Sequence, residues 1–233
     1  MNVAIIPARK GSKLLKDKNI LPFMGKPLMA HTIEAALHSK LFEKVLVSTD
    51  SEKYAGIARQ YGADVPFLRS EALAGDAVPS SEVSKEVLRL LAKNNEHYTY
   101  FAVLQATSPL RGAEDIQNSH KLLIEKNAEI VVSVCPSPIP QPWINVLAEN
   151  CSMHNFIPKQ YRNKSRQSLP QYYKMHGAIF WGRVDTYHRQ TNPFTKRCYA
   201  YIMETECSID IDSDIDYELA KILYAKQRRA STG

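Results

Sequence analysis

Three short stretches hold the residues best suited to chemistry. The first reads Pro7-Ala8-Arg9-Lys10-Gly11-Ser12-Lys13 and continues to Lys16, Lys18 and Asn19. Glycine and serine let backbone N–H groups come close to an anion, and the cations beside them balance its charge. That combination suits the triphosphate of a nucleotide. The same composition describes a solvated basic loop, and only its place behind a buried apolar run favours the phosphate role. The spacing matches neither a Walker A loop nor GxGxxG. The second stretch, Ser208-Ile209-Asp210-Ile211-Asp212, alternates apolar and acidic residues. Read as a strand, it turns Asp210 and Asp212 to one side and the isoleucines to the other. Two adjacent carboxylates repel unless a cation lies between them, and magnesium takes carboxylate oxygens together with phosphate and water. The competing reading is that these acids, with Asp214 and Asp216, cap the helix that follows. The third stretch, Val103 to Arg111, ends an apolar run in polar groups and a turn. The Gln105 amide suits a base or a sugar, or simply braces a loop. His176, next to Gly177, is the one histidine near these candidates, and a structural role suits it equally.

Residues of this kind work together only if the strands before them end side by side. Short β-branched runs at Val3–Ile6, Val45–Ser48, Val65–Leu68, Tyr100–Leu104, Ile130–Val134 and Ala178–Trp181 read as strands. Further strands are expected at Tyr199–Met203 and Ser208–Ile211. Between them lie helical patterns at Leu28–Leu37, Ser51–Tyr61, Ser80–Lys93, Ala113–Lys126 and Asp214–Lys226. Ser51 is a natural N-cap, and Val83, Val87, Leu88 and Leu91 share one helix face. The alternation predicts an α/β fold of three layers, with a mostly parallel sheet between helices. In such sheets ligands gather at the carboxyl ends of the strands. Prolines at 136, 138, 140 and 142 then exclude a helix, and residues 136–175 carry basic and aromatic groups without periodicity. That segment is expected to leave the core as a lid or a subunit contact.

Composition narrows the field. The chain has 233 residues, 44% hydrophobic and 23% charged, which suits one domain with a sizeable core. The net charge of +6 favours an anionic partner. No long basic run points to nucleic acid, and no apolar stretch approaches the roughly 20 residues of a membrane span. The four cysteines lack zinc-ligand spacing and read as small buried hydrophobes of a reduced, cytoplasmic protein. No serine-hydrolase elbow is present.

Six segments in order resemble the CMP-N-acetylneuraminic acid synthetases, or acylneuraminate cytidylyltransferases, through nearly the whole chain. They are IPARKGSKLLKDKN, VSTDSEKYAGIARQYGADV, LRSEALAGD, LQATSPLR, RQSLPQYYKMHGAIF and SIDIDSDIDYELA. The resemblance implies a Rossmann-like nucleotidyltransferase fold over residues 1–233, with 136–175 as a dimerisation excursion. It implies CTP and a nonulosonic, sialic-type sugar acid as substrates, Mg2+ as cofactor and a homodimer. By position, Arg9 and Asn19 would bind the nucleotide, and Lys13 and Lys18 its phosphates. Arg69, Ser80 and Gln105 would contact cytidine or sugar, and Asp210 and Asp212 would hold the metal. Arg166 would act with Lys18 and Asp212 in catalysis, at or near a neighbouring subunit's site. The general base stays open between a carboxylate of the aspartate pair and a metal-bound hydroxide. Trp143 stands where a lysine is frequent in that family, and His176 where an asparagine is. Legionaminic, pseudaminic and 3-deoxy-octulosonic acids are therefore the rival acceptors, and a non-catalytic nucleotide-binding protein is the rival from another class.

Overall fold

Val3 to Ile6 are fully buried, with Ala4 and Ile6 packed on one side of the sheet and Val3 and Ile5 on the other. A strand covered on both faces must be apolar throughout, which is why this run shows no polar alternation. The computed structural model describes residues 1–12, 15–75, 78–189 and 192–230. The strands are β1 (Asn2–Pro7), β2 (Pro22–Phe23), β3 (Lys26–Pro27), β4 (Lys44–Ser48), β5 (Tyr100–Leu104), β6 (Ile130–Pro136), β7 (Tyr173–Arg183) and β8 (Cys198–Ile202). The helices are α1 (Leu28–Ser39), α2 (Glu52–Gln60), α3 (Glu71–Ala74), α4 (Ser80–Lys93), α5 (Ala113–Glu125), α6 (Val184–Tyr187) and α7 (Asp214–Ala230).

Six strands form the main sheet in the order β4-β1-β5-β7-β6-β8, and β2 and β3 form a separate hairpin. The pairings β1–β4, β1–β5 and β6–β8 are parallel, while β7 runs antiparallel to both its neighbours. The side chains of α1, α2 and α5 fill one face and those of α4 the other. The expected face of α4 is the buried one: Val83, Val87, Leu88 and Leu91. Ser51 caps α2, its hydroxyl accepting from Tyr54 N–H. Gly182 lies against Phe101 so closely that a Cβ there would stand 2.5 Å from the ring.

Several expectations need correction. Residues 65–68 form no strand; one bridge between Leu46 and Asp64 is all that pairs there. Pro66 has no N–H to give a ladder. Ser208–Ile211 is irregular as well, and its Ile211 N–H donates to the Thr107 carbonyl rather than to a strand. Ile211 is buried against Phe23, Leu28, Leu110 and Ala220, so its burial comes from α7 and the hairpin, not from the sheet. β6 and β7 extend to Pro136 and Tyr173, paired with each other, so the two ends of the expected excursion are a stem of the sheet. Cys135 is buried, but Cys151 is exposed. No helix among the described residues is long and apolar enough to cross a membrane.

Candidate active site

The chain leaves β1 to form β4 on one side of it, and later β5 on the other. This reversal opens a crevice at the carboxyl ends of β1 and β5, the usual ligand position in such a sheet. A cavity of about 270 Å³ lies there. Pro7, Arg9, Ser12, Lys18 and Asn19 enter it from the loop after β1, and Gln105 and Thr107 from the loop after β5. Arg69, Ser80, Asp210 and Asp212 complete the lining. Every candidate for the nucleotide or the metal is therefore gathered in one place except Lys13, which lies outside the described residues.

The loop after β1 is braced at several points. The Asn19 amide donates to the Arg9 carbonyl at 2.9 Å, closing the loop on itself. Lys10 N–H donates to Asp50 Oδ1 at 2.7 Å. Gly11 has φ of +84°, a conformation that other residues rarely adopt. Asp17, also left-handed, accepts from the Tyr54 hydroxyl at 2.9 Å, and burial with this bond pushes the Tyr54 phenol well above its ordinary range. Arg69 donates from Nη2 to the Ser48 carbonyl at 2.7 Å and from Nε to Ser48 Oγ at 3.2 Å. Burial pulls Arg69 down to about 10, with Asp50 opposing and Arg9 adding to the shift, so it stays a cation at neutral pH. Gln105 Nε2 donates to Ser80 Oγ at 3.3 Å and links the β5 loop to the start of α4.

The aspartates differ. Asp212 is exposed and accepts from Lys18 Nζ at 2.6 Å. Asp210 is mostly withdrawn, and its Oδ1 is buried without a hydrogen-bond partner. Burial raises its carboxyl, helped by Asp212, while Thr107 and Lys18 oppose the rise. An orphaned carboxylate oxygen beside a second carboxylate, with phosphate-binding cations nearby, fits a hard divalent cation. Among the described residues no cluster of three acidic, histidine or cysteine side chains gathers, so the remaining ligands would come from phosphate and water.

Two more cavities meet the first at Gln105. One, of about 380 Å³, has an apolar floor of Val103, Val132, Ile179, Phe180 and Tyr187 and a polar rim that includes Ser80, Ser84 and Lys85. The other, also about 380 Å³, is lined by Lys174, His176, Gly177, Ser208 and Asp210 among others. Arg166 lies in neither. It is exposed on the excursion and lines a separate cavity of about 490 Å³ with Ser137 and Tyr172. Within one chain the structure does not bring it to the nucleotide cavity.

Sequence reading did not single out Arg111, which is 1% exposed. Its Nη1 donates to the Ala178 carbonyl at 3.2 Å, so it holds the segment of β7 beside Gln105. The polar LQATSPLR run was the only signal for it. His176 is 9% exposed, and neither ring nitrogen finds a hydrogen-bond partner of good geometry. Burial, then the charge of Lys174, lower it to about 4, with the Val134 backbone opposing. It is neutral at pH 7. Between about 6.5 and 4 the unfolded chain binds the extra proton, so this residue makes stability fall as pH is lowered. We expect wild type to lose on the order of 2 kcal/mol more than His176→Gln across that window. Melting curves at stepped pH test this, and identical slopes for the two proteins would refute it.

Residues 3–231 match the family described as Cytidylyltransferase. The N-acylneuraminate cytidylyltransferase of Escherichia coli is 43% identical over 229 residues, 97% of this chain but 53% of that protein. The chain thus spans about half the length of that relative. The pseudaminic acid cytidylyltransferase of Campylobacter jejuni is 32% identical, with 96% of both chains covered. The CMP-N,N'-diacetyllegionaminic acid synthase of Legionella pneumophila is 36% identical, with 98% of both covered. Among solved structures, a CMP:2-keto-3-deoxy-manno-octonic acid synthetase complexed with CTP superposes with a TM-score of 0.70 at 16% identity, covering 97% of this chain and 99% of that one. At that identity the likeness speaks for the fold.

Proposed function

This chain belongs to the cytidylyltransferase family, and from that premise we propose that it transfers CMP from CTP to a sialic-type nonulosonic acid, releasing pyrophosphate. The observation that carries the proposal is the single cavity that gathers Arg9, Lys18, Arg69, Gln105, Asp210 and Asp212 at the reversal of strand order. The cations Arg9 and Lys18 suit a triphosphate, and Arg69 with the amide of Gln105 and the hydroxyl of Ser80 suits the cytidine or the sugar. The neighbouring cavity with the apolar floor has room for an acceptor that carries acyl groups.

The anomeric hydroxyl oxygen of the acceptor attacks the α-phosphorus of CTP. A P–O bond forms, the α–β anhydride bond breaks, and the hydroxyl proton passes to a base. Arg9 and Lys18 hold the phosphates in line and offset the charge that builds up on pyrophosphate. Asp210 and Asp212 would hold Mg2+, which when bound supplies further neutralisation of that charge.

Arg166 would serve the site of a second copy, where its planar guanidinium matches the acceptor carboxylate. The excursion supports a homodimer, for it exposes Ile139, Ile144, Val146, Leu147 and Met153, with Val146 88% exposed. Apolar groups concentrated in this way call for a covering surface. Use of CTP as a substrate fits a cytoplasmic protein.

The test is pyrophosphate release with CTP and Mg2+ across a panel of N-acetylneuraminic, legionaminic, pseudaminic and 3-deoxy-octulosonic acids. Legionaminic and pseudaminic acids belong there because relatives carrying those names match over nearly their full length. We expect turnover with at least one nine-carbon acid. Failure with all of them would refute the proposal.

A further inference from the structure

Lys18 and Asp212 stand 194 positions apart, yet they form an ion pair of 2.6 Å in the nucleotide cavity. In the reading above each has another partner: phosphate for the ammonium, a divalent cation for the carboxylate. While the two hold each other, the ammonium neutralises the carboxylate and its charge opposes an arriving cation. Asp210 by itself offers a single carboxylate, too little charge to hold a divalent cation without Asp212 beside it. A cation arriving by itself must displace the Lys18 ammonium and then bear its repulsion. A nucleoside triphosphate changes both conditions. Its oxygens give the ammonium a stronger partner, Asp212 is released, and the same phosphates complete the cation's oxygen shell.

We propose that Lys18 is an exchangeable counter-ion that holds Asp212 until a nucleoside triphosphate withdraws it, and so makes entry of the divalent cation depend on the nucleotide. This rests on the assignment of Asp210 and Asp212 to the metal. Lys18 is then a coupling residue as well as a phosphate ligand. Linkage requires the effect to be mutual: the cation must tighten nucleotide binding by the factor with which the nucleotide tightens cation binding.

Mn2+ is the probe, with the free ion counted by electron paramagnetic resonance and no nucleotide present. Lys18→Met keeps the stem of the side chain and removes its charge. We expect this variant to bind Mn2+ about tenfold more tightly than wild type, within the usual range of coupling between sites. Asp212→Asn in the same background should cancel the gain. Arg9→Met, which removes a charge from the same cavity but leaves the pair intact, should leave nucleotide-free affinity nearly unchanged. Melting curves verify that each variant is folded. Equal affinity in wild type and Lys18→Met, with Asp212→Asn still weakening both, would overturn the proposal and leave the metal pair standing. A gain of equal size from Arg9→Met would overturn it in favour of diffuse electrostatics. Mn2+ binding that ignores both aspartates, even with CTP added, would overturn the metal assignment and this proposal together.

Discussion

Asp212→Asn is expected to lower CMP transfer on the order of a thousandfold, the scale of losing an electrostatic contact to the reacting phosphates. The substitution keeps the shape of the side chain and removes the charge that would face the cation. Stability should fall only modestly. Asp212 is 58% exposed but Lys18 only 13%, so the pair is partly screened by water and its loss costs on the order of 1 kcal/mol. Asp210→Asn makes the stronger comparison. Burial keeps the Asp210 carboxyl above its ordinary range. A carboxyl raised in the folded state disfavours folding at neutral pH, because the ionised form is the costly one. The asparagine variant should therefore melt at the same temperature as wild type or higher, while activity falls as it does for Asp212→Asn. Pyrophosphate release and melting curves on the same preparations check both halves. Full turnover in Asp212→Asn would end the metal role of that residue, and a lower melting temperature for Asp210→Asn would contradict the account of its burial.

Much of this arrangement was legible because local pattern and burial agree along the first half of the chain. Val3–Ile6 reads as a doubly covered strand from its unbroken apolar run, and it is one. The face of α4 follows from spacing alone. The loop after β1 drew attention because glycine, serine and cations gather behind such a run. What failed depends on partners far away in sequence. Ile209-Asp210-Ile211-Asp212 imitates a strand because apolar and acidic residues alternate, but Ile211 is buried by the hairpin and α7. The two carboxylates nevertheless line one cavity, so they come together without the strand that suggested it. β7 was expected only at Ala178–Trp181, since Tyr173, Lys174 and Met175 are exposed and show no apolar run. Their strand conformation comes from pairing with β6, whose register shifts between Val132 and Val134. The pairing of Lys18 with Asp212 was equally invisible, since only the folded chain brings the first loop to the segment before α7.

Arg166 gives the other large expected effect. Arg166→Met should lower activity on the order of a hundredfold or more if its guanidinium meets charge on the acceptor. That loss alone cannot say whose site the residue serves. Arg166 is exposed on the excursion and lines a cavity separate from the nucleotide site of its own chain. If it works in a second copy, two inactive proteins can rescue each other. In a dimer of one Arg166→Met chain and one Asp212→Asn chain, the first chain contributes an intact aspartate pair. The second contributes the arginine that reaches it. One of the two sites in that mixed dimer is complete, and the other carries both defects. Random pairing makes half the dimers mixed, so co-expression should restore about a quarter of wild-type activity. An arginine acting within its own chain predicts no rescue, because each chain then carries one uncorrected defect. The two outcomes differ by far more than assay error, and both parents serve as blanks. Rescue would establish the dimer and the shared site at once. Its absence, with mixed dimers isolated by two different tags, would confine Arg166 to its own subunit and require the excursion to fold back over the nucleotide cavity.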